Sequence, residues 1–439
     1  MSNTQERLRN LALHSADILL PKKGVDLSKW AVVACDQYTS EKSYWEQCKT
    51  YVGEEPSTLN LIFPEAYLEE AEPEKRIATI NEHMANYTKG NLFDTYENCF
   101  FLVHRTTDTF EKGRWGLLVL LDLEQYDYSV TSRSLIRATE GTILSRIPPR
   151  KQIRKKASLE LPHIMVLISD EKRSVIEPLA AKTDRLQRAY ETTLMAGGGT
   201  LEAWVVDSEE DFSAIADALE VLRDRLNPEN PLLYAMGDGN HSLATAKSCW
   251  EDIKATLPSD RWDNHPGRYA MVELENIYDP GLAFEPIHRV LFGLSFETFR
   301  QEVAKCAEIV IVEQVDDLET LHTLINERSD SQRFGYRDKS GFYLFSLSGA
   351  IASIAAGTLQ IVIDSLLAQK KATVDYIHGE QVTAALGEKE HNCALILPNV
   401  SKETFFDTII KDNALPRKTF SMGEANEKRY YMEARKIGS

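Results

Sequence analysis

The stretch LLYAMGDGNHSLATAK, residues 232–247, decides how this chain is read. LLYAM has the length and composition of a short buried strand. SLATAKSCWEDIKATL reads as a helix, with Ser242 placed as its cap. Between them lies only Gly237-Asp238-Gly239-Asn240-His241, so a strand, a tight glycine turn and a helix N-terminus follow one another directly. Such a joint exposes backbone N–H groups at the positive end of a helix dipole, and two glycines let a phosphate approach the backbone closely. In that reading His241 adds a donor or a charge, and Asp238 holds magnesium or accepts a proton. The structural alternative is a tight turn closed by the Asp side chain.

Working outward, SKWAVVACDQYTSEKSYWEQCKTY repeats the layout: a strand-like WAVVAC, an acidic loop, and a helix from about Ser40 with Tyr44, Trp45 and Cys48 on one face. Here Asp36 or Glu41 is a candidate general base on a small hydroxyl substrate, or a magnesium ligand; the alternative is an acidic helix start. ENCFFLVHRTT and GRWGLLVLLDL read as paired strands, IMVLIS and LEAWVV as further strands, and residues 65–88 as helical. EKRSVIEPLAAKTDRLQRAYETTL reads as a strand followed by a helix, and SEEDFSAIADALEVLRDRL as a helix capped by Ser208. From about residue 295 the pattern restarts with a helix, the strand EIVIV, a helix over 316–327 and a hairpin, and the tail reads as two helices around a basic turn. The expected fold class is α/β (α+β), a mixed sheet with flanking helices. The expected domains are a core with an N-terminal elaboration over 1–294 and a smaller C-terminal α/β unit over 295–439.

Of the eleven residues from Arg146 to Lys156, six are Arg or Lys. With Arg137 just upstream, Arg146 and Arg150 make this either a solvated basic loop or a polyphosphate clamp. In PIHRVLF, His288 and Arg289 stand in an apolar setting, read as a site or as a core histidine with a structural arginine. Arg417 and Lys418 in LPRKTFSMG either reach a phosphate or form a helix-connecting turn. His378, Glu380, His391 and Cys393 lack the spacing of a zinc site.

The 439 residues carry 50 Lys plus Arg against 67 Asp plus Glu, a net charge of −17, which disfavours a nucleic-acid duplex or an anionic membrane as partner. No apolar stretch nears the roughly 20 residues of a membrane span, and the polar start is unlike a signal peptide, so the expected location is the cytoplasm. The six cysteines contain no C-x-x-C pair and fit reduced thiols. The oligomeric state is left open, a homo-oligomer included.

Taken together, ACDQYTSEKSYW, RATEGTILSRIPPR, GDGNHSLATAK, FEPIHRVLF and LPRKTFSMGEANEKRYYMEARKI resemble the domain-of-unknown-function 1015 family, in order and over nearly the whole chain. That family is similar in its core to the ParB and sulfiredoxin superfamily, whose loop of glycine, variable residue, histidine and arginine before a helix binds nucleotide or pyrophosphate groups. It also resembles the free-serine kinases of that superfamily. The resemblance implies a magnesium-dependent kinase passing phosphate from pyrophosphate or a nucleotide to free L-serine. Gly237, Asp238, Gly239, Asn240, His241 and Ser242 would form the donor loop, and Glu41 or Asp36 would act as base. The superfamily arginine is here Ser242, so Arg137, Arg146, Arg150 or Arg289 would have to replace it. Sulfiredoxin chemistry is disfavoured because Asn240 occupies the place of the nucleophilic cysteine. The competing reading is a nucleotide- or phosphate-sensing module with no chemistry on a small molecule.

Overall fold

The computed structural model describes residues 3–438, which form two units: one runs to residue 282 and takes in the chain again from 423, and the other is 283–422. The sequence reading divides the chain at 294 and leaves everything beyond it in the C-terminal unit. In the structure the last residues, from Gly423, belong with the first unit.

The first unit is built on an 11-stranded mixed sheet. Its main strands are β1 (Phe93–Thr106), β2 (Arg114–Asp122), β3 (Ile136–Arg137), β4 (Met165–Ile168), β5 (Gln187–Thr193), β6 (Thr200–Val206), β7 (Tyr234–Asp238) and β8 (Tyr269–Asn276). They lie in the order β3-β7-β4-β8-β2-β1-β6-β5, with β7 parallel to β3 and β8 parallel to β4. Its helices include α1 (Lys42–Val52), α2 (Pro73–Lys89), α3 (Ile147–Arg154), α4 (Glu209–Arg223) and α5 (Asn240–Lys254). The apolar runs of β1 and β2 are continuous because both faces of the sheet are covered. Phe100, Leu102, Leu117 and Val119 enter one core with Phe212 and Ile215 of α4 and Leu243 and Trp250 of α5. Phe101, Val103, Leu118 and Leu120 enter the other, with Trp30, Val32, Trp45, Tyr430 and Met432.

Three expectations are corrected. WAVVAC forms only one β-bridge, Val33 with Arg429, and its partner is the chain's own tail. That tail is no second helix: beyond a helix at Lys402–Asp412 it runs extended from Lys428 to Lys436, apart from a short turn. The Tyr430 N–H donates to Val32 O at 3.0 Å, the Ala34 N–H to Lys428 O at 2.8 Å, and Tyr430, Tyr431, Met432 and Ala434 are buried. Core burial and these backbone partners override a helical local preference. RLQRAYETT is strand β5, not helix, because it pairs antiparallel with β6 across the MAGGGT turn.

The second unit carries a six-stranded sheet of β9 (His288–Phe292), β10 (Ile309–Val315), β11 (Gln332–Asp338), β12 (Gly341–Ser348), β13 (Thr373–Ile377) and β14 (Asn392–Ile396), in the order β10-β12-β11-β14-β9-β13. Phe299, Phe334, Tyr336 and Phe345 form its main core. No helix among the described residues is long and apolar enough to cross a membrane.

Candidate functional site

The glycine stretch is a strand-to-helix joint with almost no loop. β7 continues through Asp238, and its register against β4 slips between Met236 and Asp238, which puts Gly237 in a bulge. Gly239 has φ +83° and stands where a helix cap would be; a Cβ there would sit 3.1 Å from Ile164 Cγ1. The position therefore needs glycine both for its left-handed backbone and for close approach to β4. Since α5 already starts at Asn240, Ser242 lies inside the first turn and does not cap it. Its hydroxyl instead pairs with His163 Nε2 at 2.9 Å.

Four segments far apart in sequence meet at this joint. The Thr139 N–H donates to Asn240 Oδ1 at 3.2 Å and the Ile143 N–H to His241 Nε2 at 3.2 Å, tying the RATEGTI segment to the first turn of α5. With Nε2 accepting, the imidazole is neutral and its proton is on Nδ1. From the tail, Lys428 Nζ reaches Asp238 Oδ2 at 2.9 Å, while Asp238 Oδ1 accepts the Gly239 N–H at 2.8 Å. The backbone pairing of Ala34 with Lys428 brings the ACDQ segment alongside.

The electrostatics follow from this packing. Burial opposes the Lys428 ammonium, but Asp238, then Asp36 and Glu140, hold its pKa above the ordinary lysine value. Burial likewise opposes the Asp238 carboxylate, and Lys428, the Gly239 N–H and His163 together hold it below the ordinary value. One ammonium thus faces three carboxylates beside a helix N-terminus. Carboxylate oxygens are the hard ligands magnesium prefers. No group of three or more His, Cys, Asp or Glu is drawn tightly enough among the described residues to hold a metal by itself.

Asp36 is half-buried and accepts from Gln37 Nε2 at 3.0 Å, whereas Glu41 is exposed at the start of α1. Arg137 is buried and donates to Ser132 O, Asn230 Oδ1 and Pro231 O at 3.0–3.2 Å, so its guanidinium clamps two loops together. The basic segment is largely helix α3, and three of its six cations are in ion pairs: Arg150 with Glu65, Lys151 with Asp252, and Arg154 with Glu160. Arg146 is exposed at its start. His288, Arg289, Arg417 and Lys418 belong to the second unit. There His288 Nδ1 accepts the Leu397 N–H at 3.0 Å, and burial, with Arg289 beside it, lowers its pKa to about 4. Arg289 is fully buried over the Tyr376 ring, while Arg417 and Lys418 are exposed. Of the residues weighed for a metal, Glu380 pairs with His322 and Cys393 is fully buried.

Next to the joint lies a cavity of about 140 Å³. Leu61, Phe63, Met84 and Leu161 make its apolar wall; His163, Ser242 and the Arg150–Glu65 pair are among its polar groups. Sequence reasoning missed Lys428, His163 and Glu65. A Lys-Arg pair before two tyrosines and a lone His before a strand carry no local signal; their partners sit up to 190 residues away.

Fold and site together define an α+β protein with a strand-to-helix joint flanked by a partly buried cation and by acids. The chain belongs to the DUF1015 family, described as a protein family of unknown function, whose model matches residues 19–368. No curated protein matches the sequence. Among solved structures it is similar to a free serine kinase in complex with AMP, at 11% identity and TM-score 0.37 over 73% of this chain and 92% of that one. It is similar to a conserved hypothetical protein from Pyrococcus furiosus, at 11% identity and TM-score 0.34 over 70% of this chain and 90% of that one. A third is C-terminally truncated SbnI from Staphylococcus aureus, at 10% identity and TM-score 0.35 over 70% and 82%.

Proposed function

We propose that the protein is a small-molecule phosphotransferase, a kinase that moves a phosphoryl group from pyrophosphate or a nucleotide to the hydroxyl of free L-serine. The observation that carries the reading is the convergence of Lys428, Asp238, Asp36, Glu140 and His241 on the N-terminal turn of α5. The serine acceptor comes from the motif resemblance to free-serine kinases. Amides of the first turn and the Nδ1–H of His241 bind the donor phosphates, and Lys428 offsets charge growing on the leaving group. Asp36 takes the acceptor's proton, its place in the field of Lys428 favouring it over Glu41. Magnesium entering with the donor would be held by Asp238 and would neutralise phosphate charge.

The test incubates the protein with L-serine and Mg²⁺ and, separately, pyrophosphate, ATP or ADP, and detects O-phosphoserine by mass spectrometry. Product with one donor supports the reading. No product with any donor, together with thermal stabilisation by one nucleotide in the absence of serine, turns the assignment to a sensing module.

A further inference from the structure

Ser242 and His163 have a geometry that phosphate binding alone does not require. The Ser242 hydroxyl is 2.9 Å from His163 Nε2, the reach of a nucleophile to its base. Ser242 lies one residue after His241, in the helical turn assigned to the donor phosphates, and both Ser242 and His163 line the 140 Å³ cavity. The His163 ring packs against Tyr430 with centroids 4.8 Å apart, and its Nδ1 is buried with no hydrogen-bond partner.

We infer that Ser242 is a covalent phosphoryl acceptor and His163 its general base, so that transfer proceeds through a phosphoserine enzyme. The inference rests on the phosphotransferase reading above. Ser242 Oγ attacks the terminal phosphorus of the donor, an Oγ–P bond forms, and the P–O bond to the leaving phosphate (from pyrophosphate), nucleoside diphosphate (from ATP) or nucleoside monophosphate (from ADP) breaks. The Ser242 proton passes to His163 Nε2. In the second half the acceptor hydroxyl attacks the same phosphorus, its proton is removed by Asp36, and Ser242 Oγ leaves, recovering the proton from His163. The acceptor enters in line, opposite Ser242 Oγ, through the position the leaving group has vacated, and the apolar wall of the cavity that Ser242 lines borders the ester.

The experiment omits the acceptor. Full-length protein with Mg²⁺ and, separately, terminally ³²P-labelled ATP, terminally ³²P-labelled ADP or ³²P-pyrophosphate is quenched over time, and the labelled site is mapped by mass spectrometry. The expected result is acid-stable, alkali-labile label on Ser242 approaching one phosphate per chain, discharged on adding L-serine. Ser242→Ala abolishes it. His163→Ala slows labelling by about 100-fold or more, the general-base range, and free imidazole restores part of the rate. That rescue separates a base from a residue that merely supports the fold, and circular dichroism verifies folding of both variants. O-phosphoserine formation with no label on Ser242 overturns the inference while leaving the phosphotransferase reading intact. Absence of both label and product overturns the two together, and label at any other residue overturns the inference alone.

Discussion

The ion pair between Asp238 and Lys428 joins the glycine joint to a tail 190 residues further on, and removing it tests whether the site and the first unit depend on that tail. The charged atoms are 2.9 Å apart, with side chains 27% and 16% exposed. At an effective dielectric constant of about 20 the Coulomb attraction is about 6 kcal/mol. Desolvation takes back several kcal/mol, so a net coupling of about 1–3 kcal/mol remains. The perturbation is a double-mutant cycle of Asp238→Asn, Lys428→Met and the double variant. All six tryptophans, Trp30, Trp45, Trp115, Trp204, Trp250 and Trp262, lie in the first unit, so urea unfolding followed by tryptophan fluorescence reads that unit alone. Each single variant leaves a partly buried charge unpaired and is expected to cost more than half of the double. The pH dependence has a definite sign. Asp238 lies below 3.8 in the folded protein, so its share of the stability is present above that value and lost as acid titrates the carboxylate. Lys428 lies above 10.5, so its share is present below that value and lost in strong alkali. The coupling is therefore flat between about pH 5 and 9. A coupling under about 0.5 kcal/mol, or one that changes across neutral pH, refutes this account of the joint.

Other expectations concern separate residues. Glu433 is fully buried, and burial pushes its carboxyl from 4.5 up to about 7 despite the Tyr190 hydroxyl donating to it at 2.7 Å. The first unit should thus lose stability as pH rises from about 4.5 to 7. Glu433→Gln should remove that loss, about 3 kcal/mol at pH 8, as read from urea midpoints at the two ends of the range. Gly239→Ala should destabilise by about 1–2 kcal/mol through its left-handed backbone alone, with contact against Ile164 added; an unchanged unfolding midpoint would mean the joint is not built this way. In the phosphoserine assay, Asp36→Asn should lower kcat by about 100-fold or more with KM little changed, and Glu41→Gln should fall less; the reverse ranking moves the base to Glu41. His241→Ala should lower kcat and weaken the donor together, and full activity would remove His241 from the site.

The sequence by itself determined most of the elements that obey a local period. The paired apolar runs of β1 and β2, the capped amphipathic α4, and the strand, glycine and helix order at 234–254 follow from spacing and turn chemistry that act within a few residues. It also placed Asp36, the RATEG segment and the glycine turn among the functional candidates, and the structure gathers these segments around one lysine. What only the tertiary structure decided depends on partners distant along the chain. EANEKRYYMEARK has a composition that suits a helix, yet Tyr430, Tyr431 and Met432 find a core between strands laid down hundreds of residues earlier, and burial of those rings outweighs propensity. Arg137 and three of the six Arg146–Lys156 cations, Arg150, Lys151 and Arg154, look from composition like phosphate ligands, but carbonyls and carboxylates brought in by the fold engage them. Conversely, Lys428 and His163 are ordinary residues in sequence. Their roles come from Asp238 and Ser242 standing 2.9 Å away, a proximity set by packing and written in no local pattern.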